Sequence, residues 1–374
     1  MIAGMGQVSG SKAEGGEIVV VTGADGPIGR RVVAMSLATA GVSRVVAVGL
    51  STSKRDFLAA APGAGPELVP APFALDDPRL VNVLRGATRL IHLGPRQGLE
   101  IDGTGGTDVS LVGTRSLLAA LADVAEIRDV VVLSSALVYG ARAENPVPLT
   151  EAAPVRPNPA IKAAVDRSEL EKICTAWAST HGTRCVVLRP CVVVAPENGQ
   201  WLARSPWSTS GLQVSGASTP VQFLHVDDLV WAIACLLHSH FDGVVNVAPD
   251  GWLMPKQVRA LKGPAARLRL RGSVALLLAR IGVRVGLASG DPSTLLASSA
   301  PWVVTNDRLR SLGWEPEFTN EEAYVDSDRG GPWARLTPRH RQELALGGVV
   351  ILALGVLTAG VIVVRRQLRA DHQA

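Results

Sequence analysis

The sequence predicts an α/β fold built on a doubly wound parallel sheet. Three observations carry that expectation. Short, unbroken apolar runs alternate with segments of helical spacing. A glycine triplet stands where the first run gives way to the first helix. Apolar residues make up 47% of the 374 residues, enough for a sizeable core. Strands buried on both faces read as continuous Val, Ile and Leu runs, because helices cover each side of a parallel sheet.

The elements follow in order. Met1–Gly16 is glycine-rich and reads as a flexible tail; it has neither the basic start nor the apolar stretch of a secretory leader. Glu17–Thr22 (EIVVVT) is a strand of the buried type. Pro27–Ala40 has helical spacing and stops at Gly41. Arg44–Val48 is a second strand, and a short helix covers Pro78–Arg85. Arg89–Leu93 and Val130–Ser134 repeat the strand pattern around a helical segment, Asp108–Ala125. A long helix, Ala160–His181, precedes a strand at Arg184–Arg189. Beyond Ala195 the pattern loosens. Helix Val226–His238 and strand Gly243–Val247 follow, then a basic-apolar stretch, Lys256–Val285, which reads as an amphipathic helix pair with a solvated basic face. An anionic membrane surface is the other reading of that stretch. The expected organisation is a tail (1–16), a dinucleotide-binding domain (17–195), a smaller lobe with returning sheet elements (196–330), a linker (331–343), a membrane span (344–364) and a short tail (365–374).

Leu344–Val364 holds 21 residues without a charge. As a helix it would be roughly 31 Å long, against a hydrocarbon core of about 30 Å. Arg339 and Arg341 precede it; Arg365, Arg366 and Arg369 follow. Arginines on both sides leave the positive-inside rule without a preference. The short tail crosses more easily than a folded domain, so a single-pass C-terminal anchor with a cytoplasmic domain is expected. Gly348, Gly355 and Ala359 share a face of that helix, where a homodimer could pair closely.

Composition excludes several classes. Net charge is +4, with scattered arginines, which argues against nucleic acid as a partner. Charged residues are 19%, below the roughly 25% of soluble domains. The four cysteines lack CxxC spacing and read as reduced thiols, and no His/Cys/Asp spacing points to a metal. Asp227 and Asp228 stand at a helix start, where capping explains them.

The turn Gly23-Ala24-Asp25-Gly26-Pro27-Ile28-Gly29 carries the clearest chemistry. Such a turn needs positive φ, close approach of backbone to a pyrophosphate, and tight packing of helix on strand. Pro27 suits a first helical position, and the amides behind it favour an anion. Gly23, Asp25, Gly26, Ile28 and Gly29 are therefore the candidate cofactor-binding set, with NAD or NADP as the cofactor.

Further motifs share one resemblance. Thr22-Gly23-x-x-Gly26-x-x-Gly29, Ser134-Ser135-Ala136-Leu137-Val138-Tyr139-Gly140, Leu188-Arg189-Pro190, Phe223–Leu229 (FLHVDDL) and Asn306–Pro316 (NDRLRSLGWEP) together resemble the extended short-chain dehydrogenase/reductase family, of the NAD-dependent epimerase/dehydratase type. The resemblance spans roughly residues 17–326. It implies a Rossmann domain, a C-terminal substrate lobe and a nucleotide-sugar ligand. It also implies that Ser135 is the hydroxyl that orients the substrate and that His92 faces the cofactor side. The family's acid/base is the Tyr of a Tyr-x-x-x-Lys pair on the helix after the "VYG" segment.

That pair is where the chain departs. With Lys162 as the family lysine, Asn158 holds the tyrosine position; with Ser168-Glu169 aligned to the usual "SK", Val165 and Glu169 hold the pair. Neither register has a phenol. Gly49 stands where an acid often meets the adenine ribose, with Lys54 and Arg55 following; Ala74 and Ser110 replace an Asp and an Asn. Ser135 and Lys162 remain the candidate catalytic residues. Two functions follow: an enzyme with impaired or altered catalysis, or a non-catalytic dinucleotide or nucleotide-sugar sensor or scaffold at a membrane.

Overall fold

A parallel sheet of seven strands organises the chain. The computed structural model describes residues 16–49, 65–93, 111–196, 211–214, 219–262, 267–284 and 292–327. The strands are β1 (Glu17–Thr22), β2 (Val42–Val48), β3 (Glu67–Ala71), β4 (Arg89–His92), β5 (Asp129–Leu133), β6 (Arg184–Pro190), β7 (Val192–Val194), β8 (Gly211–Val214), β9 (Phe223–His225), β10 (Gly243–Val247) and β11 (Arg267–Leu270). The large sheet runs β10-β6-β5-β4-β1-β2-β3, parallel throughout. The order reverses between β1 and β4, which opens a crevice outside their carboxyl ends. β7 pairs with β9 and β8 with β11 in two small sheets.

The helices are α1 (Pro27–Ala38), α2 (Leu80–Leu84), α3 (Leu111–Val124), α4 (Lys162–His181), α5 (Val226–His238), α6 (Pro255–Lys262), α7 (Gly272–Arg284), α8 (Asp307–Ser311) and α9 (Asn320–Ser327). Successive side chains of a strand point to opposite faces. Thus Val19, Val21, Ile91, Val131 and Leu133 join one core, with α1 and α5. Val20, Leu90, Val130 and Val132 join the other, with α2, α3 and α4.

Several boundaries differ from expectation. β2 begins two residues earlier, and α4 begins at Lys162 rather than Ala160. The stretch Lys256–Val285 is not a helix pair: strand β11 separates α6 from α7 and pairs with β8. Its Arg-Leu-Arg-Leu alternation has the period of a strand. Strand β3 was not foreseen.

The motifs after β10 fasten to α5. Asp228, buried, accepts the backbone N–H groups of Glu317 (2.9 Å) and Phe318 (3.2 Å), and its carbonyl accepts Trp314 Nε1 (3.1 Å). Burial raises its pKa against the pull of those amides. His225 caps α5, stacks on Phe318 at 3.9 Å and meets Asp326 at 3.3 Å. Asp227 pairs with Arg31 at 2.8 Å, tying α5 to α1. The capping expected of Asp227 and Asp228 falls to His225, and the two carboxylates instead fasten α5 to other elements.

Among the described residues no helix is long and apolar enough to cross a membrane. The expected span Leu344–Val364 lies outside the described residues, as do most of the N-terminal tail and Lys54, Arg55 and Ser110.

Candidate active-site crevice

The first turn forms as its glycines require. Gly23 has φ +67°, where a side chain is strained. A Cβ on Gly29 would collide with the Gly23 carbonyl and stand 2.6 Å from Ala24 Cα, both main-chain atoms that no rotamer can avoid. Pro27 opens α1, and Gly26 at the N-cap has no side chain to cap it. The amides of Ile28 and Gly29 therefore head α1 uncapped, with the helix dipole behind them. Gly23, Asp25, Gly26, Ile28 and Gly29 come together at the carboxyl end of β1, in a cradle that fits a diphosphate.

His92 ends β4 and is wholly buried. Its Nδ1 lies 2.7 Å from Thr22 Oγ1 and its Nε2 lies 3.1 Å from Thr114 Oγ1. Burial, reinforced by the Arg167 charge, lowers its pKa to about 3, so the ring is neutral at ordinary pH. The resemblance implies a ring facing the cofactor. Instead both nitrogens are taken by hydroxyls, and the side chain ties β1 to α3 beneath the crevice.

Ser135 follows β5 in extended backbone and is half-buried. Its Oγ accepts the Leu137 N–H at 3.2 Å, capping the short 3₁₀ turn Ala136–Tyr139. Among the described residues no acceptor takes its proton, so the hydroxyl can donate to a ligand.

Lys162 is not brought to it. Its side chain is 64% exposed and paired with Asp166 one turn along α4. The cation at the sheet edge is Arg167, which sequence reasoning missed. Arg167 is buried and donates Nη1 to the carbonyls of Leu133 and Leu93, at the ends of β5 and β4. Burial lowers its pKa to about 10, so it stays charged at neutral pH. The pair spacing of the resembled family then puts Ala163, half-buried, in the tyrosine position, a register that differs from both of those above.

The chain has two tyrosines. Tyr139 is buried; its hydroxyl donates to Asn246 Oδ1 (2.8 Å) and accepts Arg189 Nη1 (3.0 Å). Desolvation raises its pKa. Tyr324, on α9, is buried against Phe223 of β9, ring centroids 4.9 Å apart. Neither phenol presents itself to a ligand beside Ser135. Among the described residues no His/Cys/Asp/Glu group could hold a metal.

A model of the NAD dependent epimerase/dehydratase family matches residues 19–248. The chain belongs to that family. The chain is 25% identical over 351 residues to an uncharacterised protein of Mycobacterium bovis, covering 90% of each. It is 30% identical over 151 residues to a GDP-6-deoxy-D-mannose reductase of Pseudomonas aeruginosa, covering 37% of this chain and 49% of the reductase. Among solved structures, a UDP-glucose 4-epimerase of Thermotoga maritima superposes with TM-score 0.61 at 14% identity, covering 83% of this chain and 97% of the epimerase. A dTDP-glucose 4,6-dehydratase of Streptomyces venezuelae, with NAD bound, superposes with TM-score 0.61 at 17% identity, covering 83% and 96%. At those identities the likeness speaks to the fold alone: a Rossmann-like α/β fold on a parallel sheet.

Proposed function

We propose that the chain binds NAD or NADP on the Gly23–Gly29 turn and a nucleotide-sugar against Ser135, and that its turnover is impaired or altered for want of a phenolic proton donor. The placement of the two tyrosines carries the second half. General acid/base work needs a group with a tunable pKa within reach of the moving proton. Tyr139 and Tyr324 are sealed in packing, and Ala163 has no proton to give.

The chain's own residues divide the remaining work. The amides of Ile28 and Gly29 hold the diphosphate, Gly26 lets it come close, and Gly29 lets α1 pack tightly on the turn. A nicotinamide held there would supply reversible hydride acceptance. Ser135 donates to a sugar hydroxyl or carbonyl and fixes its orientation. Arg167 sets a positive field at the ends of β4 and β5, while neutral His92 keeps the floor uncharged. Orientation and field survive; the step that moves the hydroxyl proton lacks a specialised group.

Leu344–Val364 extends the proposal to a single-pass anchor with the folded domain in the cytoplasm. Its support is the charge-free length of 21 residues.

Calorimetry on the full chain in detergent tests binding, with NAD, NADP, UDP-glucose and dTDP-glucose as probes. A dinucleotide should bind. Turnover of either sugar nucleotide should stay below about 0.1 s⁻¹, roughly 100-fold under a typical kcat, as a missing acid/base predicts. No dinucleotide binding at millimolar concentration would overturn the binding half. A kcat near 10 s⁻¹, an ordinary enzyme value, would overturn the impairment.

A further inference from the structure

A dinucleotide seated on a βαβ turn usually presents the hydroxyls of its adenosine ribose to an acid near the end of the second strand. Here β2 ends at Val48, and the next residue is Gly49. The space above that glycine is filled from elsewhere. A Cβ built on Gly49 would stand 2.8 Å from Asp25 Oδ1, 3.0 Å from Asp25 Cγ and 3.2 Å from Asp25 Cβ. The carboxylate of Asp25 thus reaches across from the first turn and lies over the end of β2, with the residue only 9% exposed.

The main chain holds both positions firmly. Ala24 N donates to Val48 O at 3.0 Å, so the turn is laced to the end of β2. Gly49 N donates to Ala71 O at 3.2 Å, fixing the glycine against β3. Arg30 Nε donates to the Asp25 carbonyl at 3.0 Å, bracing the turn from α1. The two residues form a complementary pair: the acid sits at 25 because the glycine at 49 makes room.

We propose that Asp25 accepts the adenosine ribose hydroxyls and selects NAD over NADP. The proposal rests on the dinucleotide reading above and adds the specificity determinant to it. Two ribose hydroxyls are donors, and an ionised carboxylate is acceptor only, so the match is chemical as well as positional. A 2′-phosphate brings close to two negative charges at neutral pH and would meet that carboxylate in a partly desolvated place, where like charges repel strongly. Among the described residues, Arg30 is a nearby cation that would favour the phosphate. Its Nε donates to the turn's main chain, whereas the carboxylate of Asp25 is the group that meets the end of β2, so the selectivity is assigned to Asp25.

Calorimetry on the full chain, with NAD and NADP as probes, compares wild type, Asp25→Ala, Asp25→Asn and Asp25→Ala/Gly49→Asp. Wild type should bind NAD at least about tenfold more tightly than NADP, the factor one hydrogen bond to a charged group supplies. Asp25→Ala should lose about that factor for NAD, leave NADP unchanged or improved, and bring the two affinities together. Asp25→Asn keeps the shape and should lose most of the discrimination. It carries the test if alanine costs the fold. The double variant returns an acid to the end of β2 and should restore the preference for NAD. Binding of NADP as tight as NAD by wild type, or an unchanged ratio in Asp25→Ala and Asp25→Asn, would overturn this assignment alone. A wild type that binds neither nucleotide defeats the dinucleotide reading and this one with it.

Discussion

Glu171→Ala is expected to lower the stability of the folded domain by about 3–5 kcal/mol, the range for stranding one partner of a buried ion pair. Glu171 sits on α4 and faces the sheet. Its carboxylate receives Arg189 Nε (2.9 Å) and Nη2 (2.6 Å), and also the Ser134 hydroxyl. Arg189 spends Nη1 on the Tyr139 hydroxyl, and its guanidinium lies 4.8 Å from the centre of that ring. Tyr139 in turn donates to Asn246, whose backbone N–H reaches Glu151 at 2.9 Å. One carboxylate therefore closes a chain of polar contacts joining β5, β6 and β10 beneath the crevice. The Arg189 side chain is only 6% exposed. Without Glu171 its charge faces a phenol and apolar neighbours, and water cannot replace the lost bonds without opening the core. Desolvation works against the Arg189 charge, and the pairing with Glu171 outweighs it and raises the pKa; without Glu171 that support is gone and the desolvation cost of the guanidinium is left uncompensated. Thermal unfolding followed by fluorescence of the eight tryptophans should show the midpoint falling by on the order of 10 °C. Glu171→Gln keeps the shape and one acceptor and should fall less. A change under about 1 kcal/mol for Glu171→Ala would mean the network carries little of the fold's stability.

The sequence displayed the parts of this fold that depend on local rules. The glycine turn is legible because three constraints act within seven residues: positive φ, close approach, and a helix start that accepts Pro27. Val226–His238 and Gly243–Val247 matched at both ends, since a strong apolar period runs between clear caps. Strand β3 was hidden by composition. Glu-Leu-Val-Pro-Ala holds a proline, tolerated because β3 is the edge of the sheet and one side of it needs no ladder bonds.

The site was harder to read, and α4 shows why. Its buried face comprises Ala164, Arg167, Ser168, Glu171, Cys174 and Ala178 among others. Their spacing is helical, but three of the eight buried residues, Arg167, Ser168 and Glu171, are polar, so hydropathy shows only an interrupted apolar stripe. Arg167 and Glu171 pass for solvent charges until β5, β6 and Arg189 are placed around them. A residue pattern can show that an arginine recurs one turn before a glutamate. It cannot show that the sheet edge supplies carbonyls to one and a guanidinium to the other. Lys162 is a candidate by residue type, yet it lies at the first turn of the helix, on the exposed side. In the sequence Asp25 belongs to the phosphate turn, and its reach across to Gly49 is visible only once β1 and β2 lie side by side.

Placing a phenol one turn before Arg167 should raise turnover by about 100-fold or more, within the 10²–10⁴ that a positioned acid/base supplies. The variant is Ala163→Tyr, alone and with Arg167→Lys. Residues four apart stack on the same helix face, so a side chain at 163 lies on the face that carries Arg167. Helix α4 packs against β5 and against the turn that Ser135 caps. The fixed charge of Arg167, held by the Leu133 and Leu93 carbonyls, would favour the phenolate and bring its pKa down toward the working range. Arg167→Lys trades a broad planar cation for a compact one with rotatable donors, which suits a shared hydrogen bond with a phenol better than a fork committed to two carbonyls. The paired variant should therefore exceed Ala163→Tyr alone. The gain should show a pH profile with a new basic limb, because the added group must be deprotonated in one direction of its work. Single-turnover assays with UDP-glucose and dTDP-glucose would read the rates, and calorimetry with NAD would establish that the cofactor still binds. If both variants fold and bind NAD but turn over no faster than wild type, the missing phenol is not what limits this site.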